Sequence, residues 1–83
     1  MKVKLKLFAN LMDWLPPGTR GNEVTVDADD NACIGEILDR YSVPERLTHL
    51  VLVNGSYIAR EARPTWHLKE GDHLAVWPPV AGG

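Results

Sequence analysis

The sequence predicts a two-layer α+β domain, with one main helix packed on one face of a mixed sheet of four to five strands. Apolar and polar residues alternate near both ends of the chain, as they do in half-buried strands. A stretch between them repeats its apolar residues with the period of a helix. The 83 residues suit one domain, so we assign residues 1–83 to a single domain with residues 78–83 as a flexible tail.

The first strand is the clearest element, because Val3, Leu5 and Leu7 alternate with three lysines. The lysines fit a solvated face that discourages edge pairing, and a contact with a partner is the alternative. Val24 and Val26 alternate with polar residues in the same way. They predict a second strand that forms a hairpin with the first.

Residues 10–21 connect these two strands. They contain apolar residues followed by Pro16-Pro17-Gly18, which is a strong turn signal. The apolar residues predict a short helical turn packed on the core rather than a free loop.

The main helix is predicted to follow, capped at its start by Asp30 or Asn31. Pro44 restricts the residue before it and predicts that the helix ends near Ser42. Gly35 inside the helix suggests close packing against a neighbour. Four apolar residues share the face expected to meet the sheet: Ile34, Ile37, Leu38 and Tyr41.

The second half of the chain predicts a hairpin and a last strand. Residues 50–53 are an apolar run followed by Asn54-Gly55, a tight-turn signal, with residues 57–59 as the returning arm. Residues 60–70 are polar, and with Pro64 as a breaker they are expected to be irregular. Leu74 and Val76 alternate with the other residues of 73–77, which predicts the last strand.

Composition excludes several classes of protein. Nine Lys and Arg face eleven Asp and Glu, a net charge of −2, whereas nucleic-acid binders carry a basic excess. No apolar stretch is long enough to span a bilayer, and the alternating N-terminus does not resemble a signal peptide. The single cysteine, Cys33, has no partner for an internal disulfide. We therefore expect a cytoplasmic protein that binds neither nucleic acid nor membrane.

No residues are spaced like metal ligands or a phosphate cradle, so neither a metal site nor a nucleotide site is predicted. The three histidines are expected at the surface, with His49 partly buried beside its apolar run. Cys33 is either a nucleophile at the helix start or a small packed residue. The acidic residues around it oppose a thiolate and favour the packed residue.

The end of the chain carries the main functional signal. Two prolines stiffen it and two glycines make its tip slender. Such a tail could enter a narrow channel in another protein and present its carboxylate, and a frayed end is the alternative. The sequence from the last strand onward is Trp77, Pro78, Pro79, Val80, Ala81, Gly82 and Gly83.

Two aromatic residues strengthen this interpretation. Trp77 and Phe8 each follow a residue expected to point inward, so alternation directs both rings outward. Exposed aromatic rings beside a tail are typical anchors of a protein interface. The alternative for Trp77 is that it covers an edge of the small core.

These residues resemble the small subunit of molybdopterin synthase, one of the ubiquitin-like sulfur carriers with a β-grasp fold. The resemblance lies in Gly71-Asp72 before the last strand, Pro78-Pro79-Val80 after it and the terminal Gly82-Gly83. It extends to residues 3–11 and to Val53-Asn54-Gly55, and so covers nearly the whole chain.

The resemblance implies a mechanism and partners. A ubiquitin-activating-like adenylyltransferase, using its own ATP and Mg²⁺, would adenylate Gly83, and a sulfur donor enzyme would convert the adenylate to a thiocarboxylate. Gly82 and residues 78–81 would enter the synthase large subunit, with Trp77 and Phe8 on the partner-facing surface. The sulfur would then build the dithiolene that holds molybdenum or tungsten. The chain would be a co-substrate without a bound cofactor, rather than a catalyst.

Three alternatives remain open. Thiamine sulfur carriers share the fold and the Gly-Gly end but usually lack the two prolines before it, and carriers for other sulfur-containing metabolites belong to the same class. A ubiquitin-like protein modifier would join Gly83 to lysines of other proteins. A non-covalent binding module would carry Gly-Gly by chance.

Overall fold

The computed structural model describes residues 1–79, which form a five-stranded mixed sheet with one α-helix. The strands follow the order β2-β1-β5-β3-β4 across the sheet. β1 is parallel to β5, and the other neighbouring strands are antiparallel. The elements are β1 (Lys2–Leu7), β2 (Glu23–Asp27), α1 (Ile34–Arg40), β3 (Leu50–Val53), β4 (Ser56–Tyr57) and β5 (His73–Trp77).

The core lies between α1 and one face of the sheet, as the alternation in the strands predicts. Each of the three central strands buries every second residue towards the helix, while the intervening residues lie on the opposite, open face. Ile34, Ile37 and Leu38 of α1 are buried against them, and Tyr41 is partly buried. The buried residues of these strands are Val3, Leu5, Leu7, Val51, Val53, Leu74 and Val76.

The connection between β1 and β2 forms the helical turn that its apolar residues predict. It is a 3-10 helix, Ala9–Trp14, that buries Leu11 completely. The turn after it uses a positive φ of 85° at Gly18, which glycine adopts without steric cost. The β1–β2 hairpin predicted from the two valines is confirmed by the pairing of Val3 with Val26.

The predicted cap at the start of α1 is wrong, whereas the predicted end near Ser42 is close to the observed one. No side chain caps the helix; Cys33 precedes it, and the Ile34 N–H donates instead to the Trp66 carbonyl at 3.1 Å. The Trp66 carbonyl thus accepts from a backbone N–H at the helix start that a capping side chain would otherwise satisfy. The helix ends at Arg40, and the chain reverses through Ser42 with a φ of 58°.

Residues 60–70 are more ordered than their composition suggests. Arg60–Thr65 is a 3-10 helix with Pro64 inside it. The expectation of a breaker at Pro64 is therefore wrong, and the expectation of an irregular segment is wrong for residues 60–65. The buried side chain of Arg63 anchors this helix by donating to Thr48. An arginine anchor of this kind leaves no apolar periodicity in the sequence.

The β3–β4 hairpin is confirmed, with a shorter return arm than expected. Asn54 and Gly55 turn the chain with φ values of 51° and 85°, as a two-residue turn with two positive φ angles requires. The return strand is Ser56–Tyr57 rather than residues 57–59. Ile58, the next residue, points into the core and is 3% exposed.

Candidate functional site

Phe8 and Trp77 meet on the open face of the sheet, at the end of two parallel strands. Leu7 pairs with Val76 in the β1–β5 register and both are buried, so the next residue of each strand faces away from the helix. The Phe8 N–H also donates to the Val76 carbonyl at 3.1 Å. The two rings stack, with their centroids 4.1 Å apart and their planes inclined by 6°. The outward direction expected for both rings is therefore correct, and each is half-buried.

An apolar surface continues from this stack across three strands. Leu50 lies opposite Trp77, and Leu52 lies opposite both Ala75 and Tyr57. Tyr57 is 63% exposed, and the others are half-buried. Paired residues share a sheet face, so the set forms one surface, which we call the open-face patch. Its members are Phe8, Leu50, Leu52, Tyr57, Ala75 and Trp77.

Alternation in the sequence predicts a partner-facing role for two members of this patch, Phe8 and Trp77, but not for the rest. A signal for two of the missed residues was present, because Leu50 and Leu52 belong to an unbroken apolar run. In a strand, such a run places apolar side chains on both faces of the sheet. Ala75 precedes Trp77 by two residues in β5 and therefore shares its face. Tyr57 joins the patch only through strand pairing, which the sequence pattern does not specify.

The other half of the open face is charged. Lys2 pairs with Asp27 across the β1–β2 hairpin at 2.5 Å. Lys4 and Lys6 lie 3.7 and 3.6 Å from the carboxylate of Glu23. The Lys2–Asp27 pair is exposed and the two Glu23 pairs are partly exposed, so each contributes little stability. The lysines lie on the outer face of the sheet, as their pattern predicts, and are partly neutralised by β2. Their expected role in discouraging edge pairing is wrong, because β1 is paired on both sides, with β2 and with β5.

The tail begins beside the open-face patch. The His49 N–H donates to the Trp77 carbonyl at 2.9 Å, which extends the strand pairing to the last residue of β5. Pro78 is then partly buried and Pro79 is exposed. The sequence also predicts functional roles for Val80, Ala81, Gly82 and Gly83, and these four residues lie outside the described residues 1–79.

The cysteine and the histidines are considered as reactive groups or metal ligands. Cys33 is 6% exposed, as expected for a packed residue. His49, His67 and His73 are all exposed, so the expectation that His49 is partly buried is wrong. Within residues 1–79, no three His, Cys, Asp or Glu side chains are grouped as a metal ion requires. The same part of the chain contains no helix long and apolar enough to cross a membrane.

Residues 1–82 match the model of the Mut7-C ubiquitin family. The chain belongs to this family. Its fold is the ubiquitin-like β-grasp, so the fold expected from the sequence is confirmed. A search of the curated proteins returned no match.

Solved structures agree with this Mut7-C ubiquitin assignment. SAMP1, a small archaeal modifier protein of Haloferax volcanii, is 29% identical, with a TM-score of 0.70 and full coverage of both chains. The thiamine biosynthesis protein ThiS of Geobacter metallireducens is 22% identical with a TM-score of 0.64, again with 100% of both chains covered. The resemblance to ubiquitin-like sulfur carriers is thus confirmed for family and fold.

A third similar structure contains two proteins. It is the complex of subunits 1 and 2 of the molybdopterin-converting factor of Helicobacter pylori. The matching chain is 23% identical to this one, with a TM-score of 0.58 and 100% of both chains covered. At this identity the likeness shows the shared β-grasp fold.

Proposed function

We propose that this Mut7-C ubiquitin chain is a sulfur carrier that supplies the dithiolene sulfur of molybdopterin from a thiocarboxylate on Gly83. The observation that carries the proposal is the Phe8–Trp77 stack, because it forms an apolar anchor where the tail leaves the sheet. The sequence after this anchor, Pro-Pro-Val-Ala-Gly-Gly, suits insertion into an active site that another protein provides.

The chemistry needs a carboxylate with no side chain around it. A carboxylate oxygen of Gly83 attacks the α-phosphorus of ATP, pyrophosphate leaves, and an acyl-adenylate forms on the activating enzyme. Sulfur supplied by the donor enzyme at the oxidation level of sulfide then attacks the carbonyl carbon, and AMP leaves. The resulting thiocarboxylate is a tethered nucleophile, so its transfer benefits from a high effective concentration at the target.

The open-face patch is the surface we assign to the larger subunit of the synthase. The patch adjoins the root of the tail, so one partner can hold Trp77 and Tyr57 while the tail occupies its active site. The H. pylori relative, whose structure contains both subunits of its converting factor, supports a large-subunit partner. Aromatic residues with exposed apolar neighbours are the usual centres of such interfaces.

The decisive experiment incubates the full chain with an activating enzyme, ATP, Mg²⁺ and a sulfide donor, and follows its intact mass. We expect the mass gain that replaces one oxygen by sulfur, and its loss when a large subunit and the pterin precursor are added. Omission of ATP is the control and should leave the mass unchanged. A chain that is never loaded contradicts the sulfur-carrier function. Loading without transfer to the pterin precursor contradicts only the molybdopterin pathway.

Protein modification is the second candidate, and the 29% identity to a small archaeal modifier protein favours it. It requires the same adenylate, with a lysine amine of a target protein as the final nucleophile. Peptide mass spectrometry of a cell lysate would then find Gly83 in isopeptide linkage. Loaded thiocarboxylate in cells that contain no such adducts would argue against this candidate.

A further inference from the structure

A small cavity lies away from the open-face patch, between α1 and the 3-10 helix Arg60–Thr65. Its volume is about 240 Å³, and Leu38 and Val43 provide apolar walls. Thr48, Arg60 and Arg63 supply polar groups. Pockets for drug-sized ligands begin at about 300 Å³, so this cavity suits a small ion or one side chain. We call it the Arg63 cavity.

Arg63 is a buried cation whose donors are only partly used. The residue is 5% exposed. Its Nη1 donates to the carbonyl and to the hydroxyl of Thr48, both at 2.8 Å, and its Nη2 makes one long contact of 3.4 Å with the His49 carbonyl. Nε is buried and has no acceptor among the described residues. Since a guanidinium has five N–H donors, the Nε–H and one Nη2–H remain available.

These two donors are on nitrogens that can hold one oxyanion together. Parallel N–H groups of a guanidinium bind carboxylate or phosphate oxygens in a bidentate manner. No carboxylate within residues 1–79 lies at ion-pair distance from Arg63. A buried charge and a buried donor without partners both oppose folding, so an anion bound here would offset two costs at once.

A second cation and two acids complete the Arg63 cavity. Arg60 donates to the Thr48 carbonyl at 3.0 Å and forms an ion pair with Glu45. Burial and the neighbouring charge of Arg60 lower the pKa of the Arg63 guanidinium, as expected for a cation that lacks a counterion. Asp39 and Glu45 also line the cavity and are exposed. Glu45 therefore competes for Arg60 from the solvent side.

We propose that the Arg63 cavity binds a small oxyanion, with phosphate and carboxylate as the chemical class. The anion accepts hydrogen bonds from the available donors of Arg63 and pairs with Arg60 in place of Glu45. Because Nε is covered in this structure, entry of the anion requires a neighbouring side chain to move.

An NMR titration of the isotope-labelled full chain tests this site. Inorganic phosphate and acetate are added separately at constant pH and ionic strength, with chloride as the balancing anion. We expect saturating shifts of the backbone amides of Thr48, Arg60 and Arg63 with at least one probe. The probe that saturates at the lower concentration identifies the preferred oxyanion. Shifts that never saturate with either probe, or that are equal at the exposed lysines of β1, overturn the proposal.

Charge variants give a second test with opposite expected signs. Arg63→Gln and Arg60→Gln should each weaken the affinity about tenfold, the usual effect of a lost charge-assisted bond. Glu45→Gln should tighten it by releasing Arg60. Arg46→Gln is the matched control, because it removes the same charge from an exposed neighbour that does not line the cavity.

The exposed pair Arg60 and Glu45 keeps this test valid if Arg63→Gln does not fold. Weaker binding for Arg60→Gln together with tighter binding for Glu45→Gln supports the site. An equal loss in Arg60→Gln and Arg46→Gln would indicate general attraction between charges and would overturn the proposal.

Discussion

The indole of Trp77 lies flat on the ring of Phe8, with centroids 4.1 Å apart. This contact joins the ends of two parallel strands, because Leu7 and Val76 are partners in their register. An aromatic pair adds about 0.5–1.5 kcal/mol beyond the area it buries. The two parallel, stacked rings also form an apolar surface at the point where the tail begins. The stack therefore links the stability of two central strands to the position of the tail.

Trp77→Ala tests which of these two roles dominates. The ring is half-buried, so we expect the free energy of unfolding to fall by about 1–2 kcal/mol with the fold retained. Affinity for the large subunit should fall by at least about 2 kcal/mol, as for a central interface aromatic. Adenylation should change less. Urea denaturation and calorimetric titration with the large subunit measure the first two effects.

Trp66→Ala is the control for the Trp77 prediction. Trp66 is 42% exposed and lies after the 3-10 helix, away from the open-face patch. Its removal should leave the affinity for the large subunit unchanged. If both tryptophan variants lose affinity equally, the patch is not the docking surface.

Gly83→Ala tests the role of the tail independently of the fold. A terminal residue contributes little to packing, so the urea midpoint should equal that of the unmodified chain. Formation of the thiocarboxylate should fall sharply, because a methyl group beside the reacting carbon crowds both partner active sites. Intact-mass measurement after loading gives the yield.

Gly18→Ala is the control for Gly83→Ala, because it should lower stability and leave sulfur loading unchanged. Gly18 has a φ of 85° and open space around its α-carbon, so alanine there should cost stability through backbone strain. Sulfur loading should remain normal. A Gly83→Ala chain that loads normally would contradict the function proposed for the tail.

The sheet was predictable because its signal is local. Leu5 and Leu74 are completely buried, and alternation in each strand already assigns them to one face. The same rule directs Trp77 and Phe8 outward. The stack itself depends on the parallel pairing of β1 with β5, which neither strand encodes alone.

The start of α1 and the segment after β4 were not predictable in this way. The first N–H of α1 is satisfied by Trp66, more than thirty residues away in the chain. Arg63 is buried because Thr48 supplies two acceptors, and its charge indicates an exposed residue by composition alone. Both features rest on long-range hydrogen bonds, which leave no periodic pattern in the sequence.

The Lys2–Asp27 pair should make the free energy of unfolding depend on pH in the acidic range. The hydrogen bond that Lys2 donates to the Asp27 carboxylate lowers the pKa of Asp27 from its ordinary value of 3.8. A lowered folded-state pKa contributes stability above the unfolded value, and this contribution is lost as pH falls through the folded value. We expect the urea midpoint to fall on acidification by less in Asp27→Asn than in the unmodified chain.

Asp13→Asn controls for the removal of an acidic group in the Asp27 experiment. Asp13 is exposed and has no ion-pair partner within residues 1–79. Its acid profile should match that of the unmodified chain. Because the Lys2–Asp27 pair is exposed, added salt should reduce the difference. Identical acid profiles for Asp27→Asn and the unmodified chain would show that the pair contributes nothing.

Gly35→Ala should stabilise the protein, contrary to the close packing that a glycine inside α1 suggests. An added Cβ would lie 3.9 Å from the Cys33 Sγ and from the Pro64 Cα, an ordinary van der Waals distance. Alanine is favoured over glycine in a helix by about 0.8–1 kcal/mol. We expect the free energy of unfolding in urea to rise by about 0.5–1 kcal/mol.

Gly55→Ala is the matched substitution with the opposite expected sign. Gly55 has a φ of 85° in the β3–β4 turn, a backbone conformation that costs a residue with a Cβ about 1 kcal/mol or more. Its free energy of unfolding should therefore fall by about that amount, although open space surrounds the added methyl group. A destabilised Gly35→Ala chain would mean that α1 and the 3-10 helix Arg60–Thr65 pack more closely than the 3.9 Å separation indicates.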